Sequence, residues 1–110
     1  MFNIVKLDRR MNGYGKFSHR IDSNGSWNTA TIEFLKARTW LWDRAGPGVE
    51  LKMLYKLQDR AFIWPTLDPH VHTIQWAWDT DNSQLRLYLN DDVLTQFLLV
   101  CERFNSNATI

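Results

Sequence analysis

Apolar and polar residues change period several times along the chain, and each change marks an element. Phe2, Ile4 and Leu7, with the intervening Val5, predict a strand over Phe2–Asp8. Arg9–Gly15 (RRMNGYG) has turn chemistry centred on Asn12-Gly13. Tyr14–Ile21 reads as a returning strand, giving a basic hairpin, and Asp22–Ser26 as a loop. From Thr29 to Ala45 the period becomes helical. At about 100° per residue, Ile32, Phe34, Leu35, Ala37, Leu41, Trp42 and Ala45 share one broad arc, opposite Glu33, Lys36, Asp43 and Arg44. So wide a stripe suits a helix packed on a sheet rather than a thin coiled-coil seam. Asn28 or Thr29 is placed to cap its start, and Gly46-Pro47-Gly48 ends it.

Trp40 departs from that pattern. Helix positions two apart point to nearly opposite sides, so Trp42 is assigned to the core arc and Trp40 to the charged face. Lys36 lies one turn before Trp40 and Arg44 one turn after, where a cation can sit over the indole. Either the N-terminal segment covers Trp40, or Lys36, Trp40 and Arg44 form an interface.

Beyond the helix the expectation is extended. Val49, Leu51, Met53, Tyr55 and Leu57 alternate with Glu50, Lys52 and Lys56, as in a half-buried strand. Ala61–Trp64 is a short strand ended by Pro65, and Pro65–Pro69 is unsuited to a central strand. His72, Ile74, Trp76 and Trp78 line one face of the next strand, with both tryptophans beneath the helix. Asp79–Ser83 turns, and Leu85, Leu87 and Leu89 form another inward face. Asn90-Asp91-Asp92 starts a short helix, Asp92–Phe97, or a tight turn. The unbroken Phe97-Leu98-Leu99-Val100 run predicts a central last strand over Phe97–Phe104.

The fold class is therefore α+β, with one long helix, about 29–45, on an antiparallel meander of four to five strands. One domain over 1–110 comprises a basic hairpin and loop (1–27), the helix (28–46), the meander (49–104) and a frayed tail (105–110). A helix followed by five strands is the element order of Sm-like barrels; a split βαβ arrangement competes with it. Apolar content of 45% and aromatic content of 14% exclude a disordered chain. A net charge of +1 gives no whole-molecule argument for nucleic acid or membrane. Its distribution is uneven: Lys6, Arg9, Arg10, Lys16 and Arg20 near the start, and Asp68, Asp79, Asp81, Asp91, Asp92 and Glu102 towards the end. These ends could meet a partner or a second copy.

Met1–Arg10 alternates and is charged, which predicts no signal peptide, and no apolar run reaches membrane-spanning length. Cys101 is the only cysteine and reads as a small buried hydrophobe, leaving no internal disulfide. Asn24-Gly25-Ser26 and Asn107-Ala108-Thr109 match the glycosylation pattern by chance in a cytoplasmic chain. Asp68, His70 and His72 make a weak metal set, and the expectation is no metal and no cofactor. Asp79 with Asp81, and Asp91 with Asp92, sit where turns favour aspartate. Gly13-Tyr14-Gly15-Lys16 lacks the strand–helix frame of a phosphate loop. A non-catalytic binding module follows.

Two surfaces are candidates. Arg9, Arg10, Tyr14, Lys16, Phe17 and Arg20 combine cations for phosphate with rings for bases, the mix suited to single-stranded nucleic acid, RNA in particular. On an extended strand, Tyr14, Lys16, Ser18 and Arg20 would share one face. Lys36, Trp40 and Arg44 instead suit a homo-oligomer or another protein.

Gly13-Tyr14-Gly15-Lys16, Ala37-Arg38-Thr39-Trp40-Leu41-Trp42, Gly46-Pro47, Trp76-Ala77-Trp78, Leu85-Arg86-Leu87-Tyr88-Leu89 and Phe97-Leu98-Leu99 together resemble short reading frames of tailed bacteriophages. The resemblance implies a small accessory protein in a host cytoplasm, and it transfers no catalytic residue.

Overall fold

The computed structural model describes residues 2–23, 27–54, 74–80 and 85–104. Strands β1 (Phe2–Lys6), β2 (His19–Ser23), β3 (Val49–Glu50), β4 (Trp76–Asp79) and β5 (Arg86–Leu89) form one five-stranded sheet, ordered β1-β2-β5-β4-β3. Helix α1 is Trp27–Ala45 and helix α2 is Asp91–Val100, followed by a 3-10 turn, Cys101–Phe104. The class is α+β, but the sheet is not a simple meander. β1–β2, β2–β5 and β5–β4 are antiparallel, whereas β3 pairs parallel to β4. Two strands precede α1, and β1 and β3 stand at the two ends of the order, so the described sheet is open and lacks the Sm-like order.

Both faces of the sheet centre are covered. On one, Ile21, Trp76, Leu87 and Leu89 pack against Ala30, Phe34, Ala37 and Leu41 of α1 and Val93, Leu94 and Phe97 of α2. On the other, Tyr88 and Ala77 meet Leu7, Phe17, Leu51 and Leu54. β5 is thus the doubly covered strand. Each of its fully buried leucines contributes about 1.5–3 kcal/mol by leaving water.

Two strand expectations are corrected. The Phe97–Phe104 run is helical, because Val93, Leu94, Phe97 and Phe104 recur at helical spacing and all are buried. Asp91 and Asp92 occupy the first turn, where the helix dipole favours negative charge, and Asp92 Oδ1 accepts the Val93 N–H at 3.0 Å. Cys101 is accordingly only partly buried; burial raises its thiol pKa, with Glu102 adding to the shift. The strand expected from Val49 onwards lasts two residues, and residues 51–54 are helical. Leu51 and Leu54, three apart, are buried while Lys52 and Met53 are exposed. Leu54 breaks the alternation.

The α1 stop also seats a core residue. Gly46 has φ +82°, and its N–H bonds the Trp42 carbonyl at 3.1 Å, a left-handed cap. Its own carbonyl accepts Trp76 Nε1–H at 2.7 Å, and a Cβ on Gly48 would collide with the Trp76 indole. The expected burial of Trp76 holds; Trp78 is half-buried beside it, ring centroids 5.6 Å apart.

Candidate functional site

The N-terminal loop keeps only part of its expected surface. Backbone from Tyr14 to Phe17 is a turn, not a strand: Gly13 carries φ +89°, and its carbonyl accepts the N–H groups of Lys16 at 3.2 Å and Phe17 at 2.9 Å. The shared face expected for Tyr14, Lys16, Ser18 and Arg20 therefore does not form, since alternation needs extended backbone. Phe17 is 3% exposed and packs 6.2 Å from the Tyr88 ring, so it belongs to the core. Arg20 donates from Nε and Nη2 to the two carboxylate oxygens of Asp22, at 2.8 and 3.1 Å, and Arg86 lies 3.6 Å from the same carboxylate. Tyr14 is 52% exposed, Arg9 and Arg10 are exposed, and Lys16 is half-buried. Arg10 binds Asp8 through its backbone N–H at 2.9 Å and its guanidinium at 3.2 Å, which holds the Asp8 carboxyl below its ordinary value.

Basic and acidic segments meet within the chain. Beside β2, Ser18 Oγ lies 2.8 Å from His19 Nδ1 and 3.2 Å from Asp91 Oδ1, and Asp91 Oδ1 lies 3.3 Å from that same nitrogen. A nucleophilic relay needs the hydroxyl and the carboxylate on opposite imidazole nitrogens. Here both crowd Nδ1, which makes the cluster a tie between β2 and the start of α2.

The long helix presents a more developed surface, turned from the one expected. Ala30, Phe34, Ala37 and Leu41 define its buried line. At about 100° per residue Trp40 lies about 90° from the middle of that line and Trp42 about 110° from it on the other side. Trp40 is accordingly half-buried, its ring 5.9 Å from Phe97 and 6.0 Å from Phe104, whereas Trp42 is 51% exposed. Trp42, expected in the core, is the exposed one, and Trp40 is covered by Phe97 and Phe104 near the end of the described chain. Ile32 (44%) and Leu35 (51%) are also exposed, and Glu33, expected on the polar arc, is buried.

Leu35, Thr39 and Asp43, one turn apart, form an outer ridge with a hollow on each side. One hollow, of about 310 Å³, adds Arg38, Trp42 and Trp76. The other, of about 450 Å³, adds Lys36, Trp40 and Phe104. Two of the three expected interface residues, Lys36 and Trp40, thus come together. Arg44 points elsewhere, its Nε donating to Gln96 Oε1 at 2.6 Å on α2. Arg38 is half-buried, its guanidinium 4.1 Å from the Trp78 ring and 5.6 Å from Phe34. Burial lowers its pKa, opposed by the Glu50 carboxylate, and the group remains a cation at neutral pH. Stacking of this kind holds the guanidinium in one place.

Leu35 and Trp42 were expected in the core, and Arg38, Thr39 and Asp43 were not among the expected interface residues. Their signal was a second apolar line, Ile32-Leu35-Thr39-Trp42, merged into the first.

Comparison with protein-family models, curated proteins and solved structures finds no match. Among the described residues no helix is long and apolar enough to cross a membrane. No group of three histidine, cysteine, aspartate or glutamate residues among them could hold a metal ion. His70, His72, Asp68 and Asp81 lie outside the described residues, as do the segments 61–64 and 65–69.

Proposed function

We propose that the chain is a small non-catalytic binding module that associates with protein through the outer face of α1, in the cytoplasmic setting that the bacteriophage resemblance implies. The observation that carries this is the exposure of Leu35, on a ridge flanked by two hollows, and of Trp42, which lines one of them. Tryptophan and arginine are favoured anchors of protein interfaces, and clustered exposed apolar side chains mark contact surfaces. The one-sided contacts of His19 support the non-catalytic part. A photo-crosslinking amino acid placed at Thr39, and separately at Asn3 on β1, tests the proposal in producing cells. A protein adduct is expected at position 39, lost on adding Leu35→Glu, and none at position 3. No adduct at position 39 overturns it.

A second reading keeps the N-terminal loop as a single-stranded RNA contact. What favours it is the exposure of Tyr14 in the same loop as Arg9 and Arg10, with Lys16 beside it. Phe17 and Arg20 are no part of it, so the surface is smaller than the sequence implied.

A further inference from the structure

We infer that the occupant of the α1 outer face is a second copy of this chain, its α1 packed alongside in parallel about a twofold axis. The inference rests on the contact surface proposed above and names its partner. Exposed apolar positions on α1 are spaced three and four apart: Ile32, Leu35, then Trp42, with exposed Thr39 between them. That is the a–d–a–d order of a heptad seam, with Ile32 and Thr39 at a and Leu35 and Trp42 at d. The buried residues Ala30, Glu33, Phe34, Ala37 and Leu41 fall on b, c and f, the opposite side. One helix thus carries two faces, one holding the sheet and one turned outward.

The residue types at the seam indicate a parallel pair. β-branched side chains at a with leucine at d favour two parallel strands. Thr39 adds little polar cost there, because its hydroxyl already donates to the Leu35 carbonyl at 3.0 Å. The flanks supply the charge argument. Arg38 falls at g and Asp43 at e, and in a parallel pair each g residue faces the e residue five positions on in the other helix. Arg38 of each copy therefore meets Asp43 of the other, twice per dimer. An antiparallel pair that keeps Ile32 opposite Trp42 and Leu35 opposite Thr39 sets like flanks together, Arg38 towards Arg38 at g and Lys36 towards Lys36 at e. The stacking of Arg38 on Trp78 fixes one partner of this pair before association. A net charge of +1 sets up little repulsion between copies. Two heptads make a short seam, so the dimer is weak and concentration-dependent.

Sedimentation of the purified chain over about a hundredfold range of concentration tests this. The expected result is a monomer–dimer equilibrium. Arg38→Glu alone and Asp43→Arg alone each raise the dissociation constant about tenfold. An equimolar mixture of those two variants restores dimer. In the mixed pair the two introduced charges face each other with opposite sign, and the unaltered Asp43 of one copy meets the unaltered Arg38 of the other. In a Cys101→Ser background, Ile32→Cys and Thr39→Cys each give a disulfide-linked dimer, because both positions lie on the axis of a parallel pair. A monomer at every concentration overturns the inference; so does a dimer indifferent to both charge reversals, or one linked at only one of the two cysteine positions. An adduct at Thr39 to a different protein, with a monomeric purified chain, overturns the second copy and leaves the contact surface standing.

Discussion

Replacing Trp40 and Trp42 by alanine, one at a time, separates the two faces of α1. Trp40 is largely covered and makes an edge contact with Phe97 and a tilted one with Phe104. Its burial of roughly 150 Å² at about 25 cal/mol per Å² amounts to about 4 kcal/mol, to which the two ring pairs add about 1 kcal/mol. Trp42 is 51% exposed and so gains less from burial. Its loss costs about 1–2 kcal/mol, partly offset by the better helix propensity of alanine. The account therefore expects Trp40→Ala to be at least about 2 kcal/mol more destabilising than Trp42→Ala. Urea denaturation followed by far-ultraviolet circular dichroism, at dilutions where association is absent, measures both. Equal losses, or a larger loss for Trp42→Ala, would refute the assignment of the faces.

Gly13 and Gly15 share a φ of +89°, but a Cβ on Gly13 would stand 2.8 Å from Tyr88 Cδ1 while one on Gly15 meets nothing within 4 Å. Thermal melts should accordingly show Gly15→Ala costing about 1 kcal/mol and Gly13→Ala about 2–3 kcal/mol. Burial raises the Tyr88 phenol pKa, with Asp79 adding to the shift and Arg86 opposing it. The unfolded chain thus loses that proton first as pH rises, so this contribution to stability is intact below the ordinary tyrosine value of about 10 and falls above it. Tyr88→Phe should be less sensitive than wild type above that pH in urea titrations. If the N-terminal loop binds single-stranded RNA, Arg9→Ala with Tyr14→Ala should abolish a salt-sensitive anisotropy change in labelled RNA while leaving the fold intact. Phe17→Ala should instead lower stability by about 3 kcal/mol or more, because it opens the core beside Tyr88.

Local chemistry carried much of the architecture. The α1 stop, the turn at Asn12-Gly13, the first strand and the burial of Trp76 followed from backbone preferences and from period. What did not follow was decided by tertiary cover. An apolar arc spanning Leu41 to Ile32 is wider than one packed face, and period alone does not say which edge the sheet takes. The side chains of Phe97 and Phe104 made that choice by covering Trp40, and they sit in a segment whose apolar run was ambiguous between strand and helix. Leu54 and the aspartates at the start of α2 were local clues against strand. The candidate site was hidden for the same reason, since Leu35 and Trp42 looked like core. Phe17 looked like a ligand contact because its cover by Tyr88 of β5 is invisible in a linear reading, and Arg20 because the strand that sets it beside Asp22 was expected to end at Ile21.

The most direct measurement is fluorine NMR of the chain labelled with 5-fluorotryptophan at its six tryptophans, the Trp42 resonance being assigned from Trp42→Phe. The account predicts that raising concentration shifts or broadens the Trp42 signal while the buried Trp76 signal stays fixed, and that Arg38→Glu suppresses the change. A Trp42 resonance unmoved by concentration and by every protein captured at Thr39 would contradict the outer face of α1 as the contact surface.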